Sequence, residues 1–489
     1  MVWVRLLSPA VVAGVLVAGG PGGKDCQAAE TPPSTVNGAE AVSSGTEGPE
    51  RLKRQVRVTV QTNAVADGKV IPGKETSFQF HTAWESWNGL QIQVSRKTRL
   101  KDPFSEMREA IKGTNANRVI HLEEMKMSGN IGGKLAVDAA GFVTGKEFER
   151  FDPGVQVRRA RVYARGDCLL VLPVSYEVEV GYVPNEFYIE NSYLSFKDIR
   201  WIGELKAGQF KAPMSLEMIT STRDLRLMEP AGPVQALAPG TSAGLQIGQP
   251  VLDQRATWRL GVFKEGVGTD QGDASKDYGR LITRMTALPL WGSTEAGSPR
   301  ALHLGLSANA QYSGNSTVRY RTRPESNLAP YVVDTGDIVA EAALTAGAEV
   351  AYIDGPFCIQ SEYLQSWVRE NHGGIPTFKG SYASAGWFIT GESRPYDKVD
   401  GVFGRVIPKH DFNFGRGGWG AWEVAGRMSY VDLNSGDVHG GRLTMLMTGI
   451  NWYLHSHLKW RFDYGFGQVK NHAPSGNVNI FQTRVEVDF

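Results

Sequence analysis

Long hydrophobic runs are missing from this chain, and that absence decides how it could meet a membrane. After an apolar stretch from Val11 to Ala18, no segment supplies the roughly eighteen consecutive apolar residues that a spanning helix needs. Any crossing must then be made by closed strands, because a bilayer leaves exposed backbone groups without partners. Cysteine is scarce: Cys26, Cys168 and Cys358 are too few and too scattered for a disulfide framework or a Cys-based metal site. Excess charge is lacking too. With 52 Lys and Arg against 51 Asp and Glu, the net charge of +1 argues against a nucleic-acid binder and leaves local patches to set the sign of any ligand.

What is present is alternation. Phe481, Thr483, Val485, Val487 and Phe489 share one face of a C-terminal strand, and Gln482, Arg484, Glu486 and Asp488 take the other. The row Leu302, Leu304, Leu306, Ala308, Ala310 and Tyr312 opposes His303, Gly305, Ser307, Asn309 and Gln311. A hairpin sets Leu446, Thr448, Ile450, Trp452 and Leu454 on one side of its first strand and Leu458, Trp460, Phe462, Tyr464 and Phe466 on one side of its second. Trp452, Trp460 and Tyr464 suit an interfacial belt, and a strand closing on Phe resembles the signal that outer-membrane barrels present to their assembly machinery. A soluble sandwich alternates as well. The aromatic richness of the apolar face, a leader-like start and the terminal Phe favour an all-β, antiparallel transmembrane barrel with long extracellular loops and short periplasmic turns. At about ten residues per crossing, roughly sixteen to eighteen strands fit.

The chain divides unevenly. Residues 1–29, with Arg5, the apolar run and small residues before Glu30, read as a secretory signal peptide. A polar linker rich in Pro and Ser follows over 30–54. The 55–130 segment is the least legible: Gln55–Val60 and Gly89–Val94 look like strands, while Met107, Ile111, Val119, Leu122 and Met125 have loosely helical spacing. The barrel is expected over 131–489.

Candidate chemistry lies in the most charged strand, VQVRRARVYARG over 155–166. Arg159, Arg161, Tyr163 and Arg165 alternate onto one side, opposite Arg158, Ala160, Val162 and Ala164. An arginine on the lipid face at mid-membrane costs about 2–4 kcal/mol, so the row must face the lumen and Arg158 is expected near an interface. Guanidinium groups in a narrow pore offer forked donors to oxyanions such as phosphate. Two readings stand: the arginines pair with carboxylates such as Glu177 and Glu179, or they form a free anion-attracting ladder. Arg255, Arg259, Arg280 and Arg284 are further inward candidates.

The chain resembles the phosphate-selective porin O and P family. The resemblance rests on VRRARVYARG (157–166), AGQFKAPMSLEMITSTRDLRLMEP (207–230), LAPGTSAG (237–244), DGPFCIQSEYLQSWV (354–368), GWFITGESRPYD (386–397), GVFGRVIPK (401–409), GAWEVAGRMSYVDLN (420–434), GINWYLHSHLKWRFDYGFG (449–467) and the terminal RVEVDF, all in the family's order. It implies a sixteen-stranded outer-membrane barrel in a Gram-negative-type envelope, commonly a homotrimer, that passes small anions such as phosphate by diffusion. A non-conducting barrel that merely anchors a structural or adhesive protein is the alternative.

Several signals imitate catalysis. Gly240-Thr241-Ser242-Ala243-Gly244 fits a nucleophile elbow, but no helical period follows it, and the long connection from Met214 to Pro250 could instead fold inward and constrict the pore. His455 and His457 fit exposed turn residues better than metal ligands. Glu392 and Arg394 suit a tied-down loop, and GRGGWG over 415–420 lacks the Lys of a phosphate-binding loop. Neither catalysis nor a metal or cofactor is expected.

Overall fold

The computed structural model describes the backbone of residues 54–66, 69–82 and 90–95 and, from 126 to 489, everything except 147, 149, 170–171, 184–185, 266–278, 296, 315, 372, 416 and 471–474. The leader, the linker and the helical spacing before residue 126 fall outside the described residues.

Sixteen strands form the wall. They are β1 Lys126–Thr144, β2 Gly154–Leu169, β3 Pro173–Val183, β4 Glu186–Ile199, β5 Gly203–Lys211, β6 Thr241–Val251, β7 Ala256–Glu265 and β8 Gly279–Ser293. The second half is β9 Pro299–Tyr312, β10 Ile338–Asp354, β11 Phe357–Glu370, β12 Thr377–Phe388, β13 Ala421–Ser435, β14 Val438–His455, β15 Leu458–Lys470 and β16 Gly476–Asp488. Each pairs antiparallel with the next, and β16 pairs back onto β1, so the sheet closes and no barrel edge remains. Strands 54–66, 69–82 and 90–95 form an added antiparallel sheet, joined to the wall where 90–95 pairs with 126–131 of β1. The first wall strand thus starts five residues before the expected boundary at 131.

Exposure is inverted relative to a water-soluble protein. On β16 the outward Phe481 and Val485 are 57% and 45% exposed, whereas the inward Arg484 is fully buried. The alternating rows do not pack against a second sheet, as a sandwich requires. They cover the outside of a closed wall, a surface that needs hydrocarbon around it.

Phe489 marks the rim where most connections are short: 170–172, 200–202, 252–255, 294–298, 355–356 and 456–457. Short turns identify the periplasmic end. One connection there, 389–420, is long. The opposite rim carries 212–240 and 313–337. At the seam Phe489 and Gly133 exchange backbone hydrogen bonds of 3.0 and 3.1 Å, and the Tyr163 hydroxyl donates to the Phe489 carbonyl at 3.2 Å. A Cβ at Gly132 would collide with that same carbonyl and with the Tyr163 ring, so only glycine fits.

Candidate functional site: a lumen narrowed from both ends

The 212–240 connection folds into the barrel, as the long Met214–Pro250 segment allowed. It carries two short helices, α1 Leu216–Ile219 and α2 Gly232–Leu237. The Glu362 carboxylate on β11 accepts from the backbone N–H groups of Leu216 and Glu217 at 3.2 and 2.8 Å, satisfying donors that a helix start leaves open. Arg427 on β13 bonds Glu217 at 2.9 Å and Glu325 of the 313–337 connection at 2.5 Å. On β16 Arg484 pairs with Asp138 of β1 at 2.6 Å and with Glu229 at 2.5 Å. These buried, multiply bonded pairs hold the connection against one half of the wall. Open space is left beside the other half.

Burial pushes the Glu229 carboxyl up, but Arg158, Arg484 and Arg159 outweigh it and hold the group well below the usual carboxylate range. Arg158 reaches Glu229 at 3.0 Å from a bulge in β2 that turns it into the lumen. The expectation of an interfacial Arg158 is therefore corrected, since strict alternation fails where two residues of one strand face one of the next.

The second inward segment is the first part of 389–420. Arg259 bonds Glu204 at 3.2 Å, Asp400 at 2.6 Å and the Val399 carbonyl at 3.0 Å. Arg284 bonds Glu349 at 2.7 Å and the Gly401 carbonyl at 2.8 Å. His303 and the Tyr396 hydroxyl lie 2.6 Å apart. Arg405 reaches Asp488 and the Ser456 carbonyl. Arg394 is fully buried, with Glu423 at 3.5 Å and the Asp224 carbonyl as partners, and Glu392 accepts from the Lys409 N–H at 3.0 Å. Both residues tie down a loop, as the sequence suggested.

Two chambers stand out among the described residues. The outer, of about 310 Å³, is lined by eight Lys and Arg side chains against three Glu. Its bases include Arg158, Arg159 and Arg280 from the wall and Arg319, Arg321 and Arg323 from the 313–337 connection. The inner, of about 520 Å³, sets eight Lys and Arg against six acids. Arg161, Glu190, Lys211 and Thr222 border both, so the narrowing lies between them.

The arginine row faces this path with unequal freedom. Arg161 pairs with Glu190 at 2.9 Å and Glu179 at 3.9 Å and donates to the Tyr188 hydroxyl at 3.1 Å. Arg165 is exposed and stacks on Tyr163, 5.0 Å from the ring centre. Arg159 is buried, its one carboxylate Glu229 lies 3.9 Å away, and its Nε and Nη1 have no hydrogen-bond partner. Arg280 donates to Gln311 at 3.1 Å.

The structure departs from expectation at two arginines. Arg255 stands exposed in the 252–255 turn, because β7 starts only at Ala256. Arg284 is fully buried behind residues 400–401 and lines neither chamber. The sequence reading also passed over Lys211 and the Arg319-Tyr320-Arg321-Thr322-Arg323 run. Arginine at every second position was the available signal, but it falls in a connection with no lipid-facing partner row.

Ser242 is fully buried in β6, and its Oγ lacks a hydrogen-bond partner. His455 lies 3.3 Å from Asp411 and His457 3.4 Å from Asp488, and no metal-holding cluster exists among the described residues.

Residues 130–489 match the family described as phosphate-selective porin O and P. Among curated relatives, an uncharacterized protein of Caulobacter vibrioides is 28% identical, with 69% of this chain and 68% of that protein covered. Porin O of Pseudomonas aeruginosa is 23% identical over 64% of this chain and 78% of its own length. An anion-selective porin from Comamonas acidovorans superimposes with a TM-score of 0.48 at 12% identity, covering 74% of this chain and all of that one.

Proposed function

We propose, for a chain that belongs to the phosphate-selective porin O and P family and resides in the outer membrane, that it is a passive channel favouring small anions. The carrying observation is Arg159. Arg158, Arg159 and Arg484 share the single carboxylate of Glu229, and Arg159 keeps two buried nitrogens free at the floor of a chamber with eight basic and three acidic side chains. A guanidinium in that state attracts an oxyanion while offering too few bonds to retain it, the balance that conduction requires. Arg161, Arg165, Arg259 and Arg280 continue the basic surface. Phosphate is the solute that the family description favours, and it fits the forked donors.

No step in this reading consumes a substrate. Its mechanism is electrostatic focusing followed by transient coordination. Assembly as a homotrimer and recognition of the Phe489 strand by the barrel assembly machinery belong to the same proposal. Cross-linking in mild detergent tests the first.

The deciding experiment is the reversal potential of the purified protein in a planar bilayer under a chloride gradient, repeated with phosphate added. An anion-selective potential and a chloride current depressed by phosphate are expected. Equal permeability to both ions would defeat the proposal. The two inward segments favour one competing reading, a non-conducting envelope anchor, and the absence of any conductance steps would select it.

A further inference from the structure

The last part of the 389–420 connection leaves the lumen and turns over the rim. It packs against the outside of the wall below three tryptophans that sit directly opposite one another on neighbouring strands: Trp422 on β13, Trp452 on β14 and Trp460 on β15. Their rings stack with centroids 4.9 and 6.4 Å apart. All three point outward. Ile450 and Phe462 on the same faces are 45% and 42% exposed, while Asn451, between Ile450 and Trp452 on β14, is fully buried and donates to the Arg226 carbonyl inside the lumen.

Phe412 stands edge-on to Trp452 at 5.0 Å, and its backbone N–H bonds the Leu454 carbonyl at 2.8 Å. The indole N–H groups of Trp422 and Trp452 both end on the Trp419 carbonyl, at 3.1 and 2.9 Å. This consumes their polar edges and fixes the loop's position. Two large rings are left projecting beyond it: Phe414 is 93% exposed and Trp419 70%. A turn meant for water would not present them.

We propose that residues 411–415 and 417–419 form a membrane foot that places Phe414 and Trp419 in the interfacial region of the inner phospholipid leaflet. Lipid is the occupant because the patch continues the lipid-facing row of β13–β15 without a break, at the rim where headgroups and glycerol meet acyl chains and where indole and phenyl rings are favoured. The inference rests on the outer-membrane placement and is independent of which solute passes.

The test uses the full chain with its cysteines replaced by serine and a single Phe414→Cys carrying a small fluorophore, in vesicles of phosphatidylethanolamine and phosphatidylglycerol. Heat-modifiable migration verifies folding. A nitroxide near the headgroup end of the acyl chain should quench the label at least roughly twofold more than aqueous iodide does, with the order reversed for Asp437→Cys on the opposite rim. Equal iodide quenching at both positions would overturn the foot. So would a label shielded from both quenchers and cross-linking to a second copy.

Discussion

Nη2 of Arg484 lies 2.5 Å from Oε1 of Glu229, joining the last wall strand to the inward 212–240 connection. Both groups are buried, and Arg158 bonds the same carboxylate from β2. Removing one member of such a set strands the others in a medium that solvates them poorly. Glu229→Ala is expected to cost about 3–5 kcal/mol in urea unfolding followed by tryptophan fluorescence. It should also raise single-channel conductance, because the connection loses its tether. A wild-type unfolding midpoint would show that the set is not holding the connection.

Acid should act on the same tether. A carboxyl held well below its ordinary 4.5 in the folded protein contributes stability that is fully present above that value and disappears as pH falls through the lower, folded value. The Glu229 tether is therefore expected to stay intact from neutral pH down to about pH 4.5, so the conductance step that belongs to it lies only below that value. In Glu229→Gln the acid transition should vanish. A transition centred near pH 6 in the wild type would point to another group.

The alternation along β9, β14, β15 and β16 made the barrel legible, because oil on one side and water on the other constrain every second residue. Lumen connections obey no such rule. Glu229, Glu217 and Glu325 have no periodic neighbours, and nothing local in the sequence says that Arg427 will find two of them. The arginine row could be read from β2, yet the bulge that turns Arg158 inward left no mark, and the start of β7 decided that Arg255 belongs to a turn. The long 389–420 connection lies at the rim where turns are short, so neither its lumen clasp nor its outward end was foreseen.

Arg159 and Arg284 separate selectivity from scaffolding. Arg159→Ala removes a weakly neutralised charge from the outer chamber, and the reversal potential should move toward cations with little loss of stability. Arg284→Ala leaves Glu349 buried with only His303 beside it and frees the carbonyls of 400–401. It should lower stability by about 3–5 kcal/mol and leave selectivity nearly unchanged. Identical shifts in reversal potential for the two variants would erase this distinction.

Closure of the wall depends on one missing side chain. Gly132 faces the Phe489 carbonyl and the Tyr163 ring with no room for a methyl group, whereas Gly141 on the same strand has open space where a Cβ would stand. Gly132→Ala must push Phe489 away from its paired hydrogen bonds with Gly133, a strain of about 1–3 kcal/mol before the lost bonds are counted. The folded, heat-modifiable band on a denaturing gel should weaken and disappear at a lower temperature. Gly141→Ala should behave as wild type. If the two alanine variants proved equally resistant to heat, the seam would not be the site that limits closure.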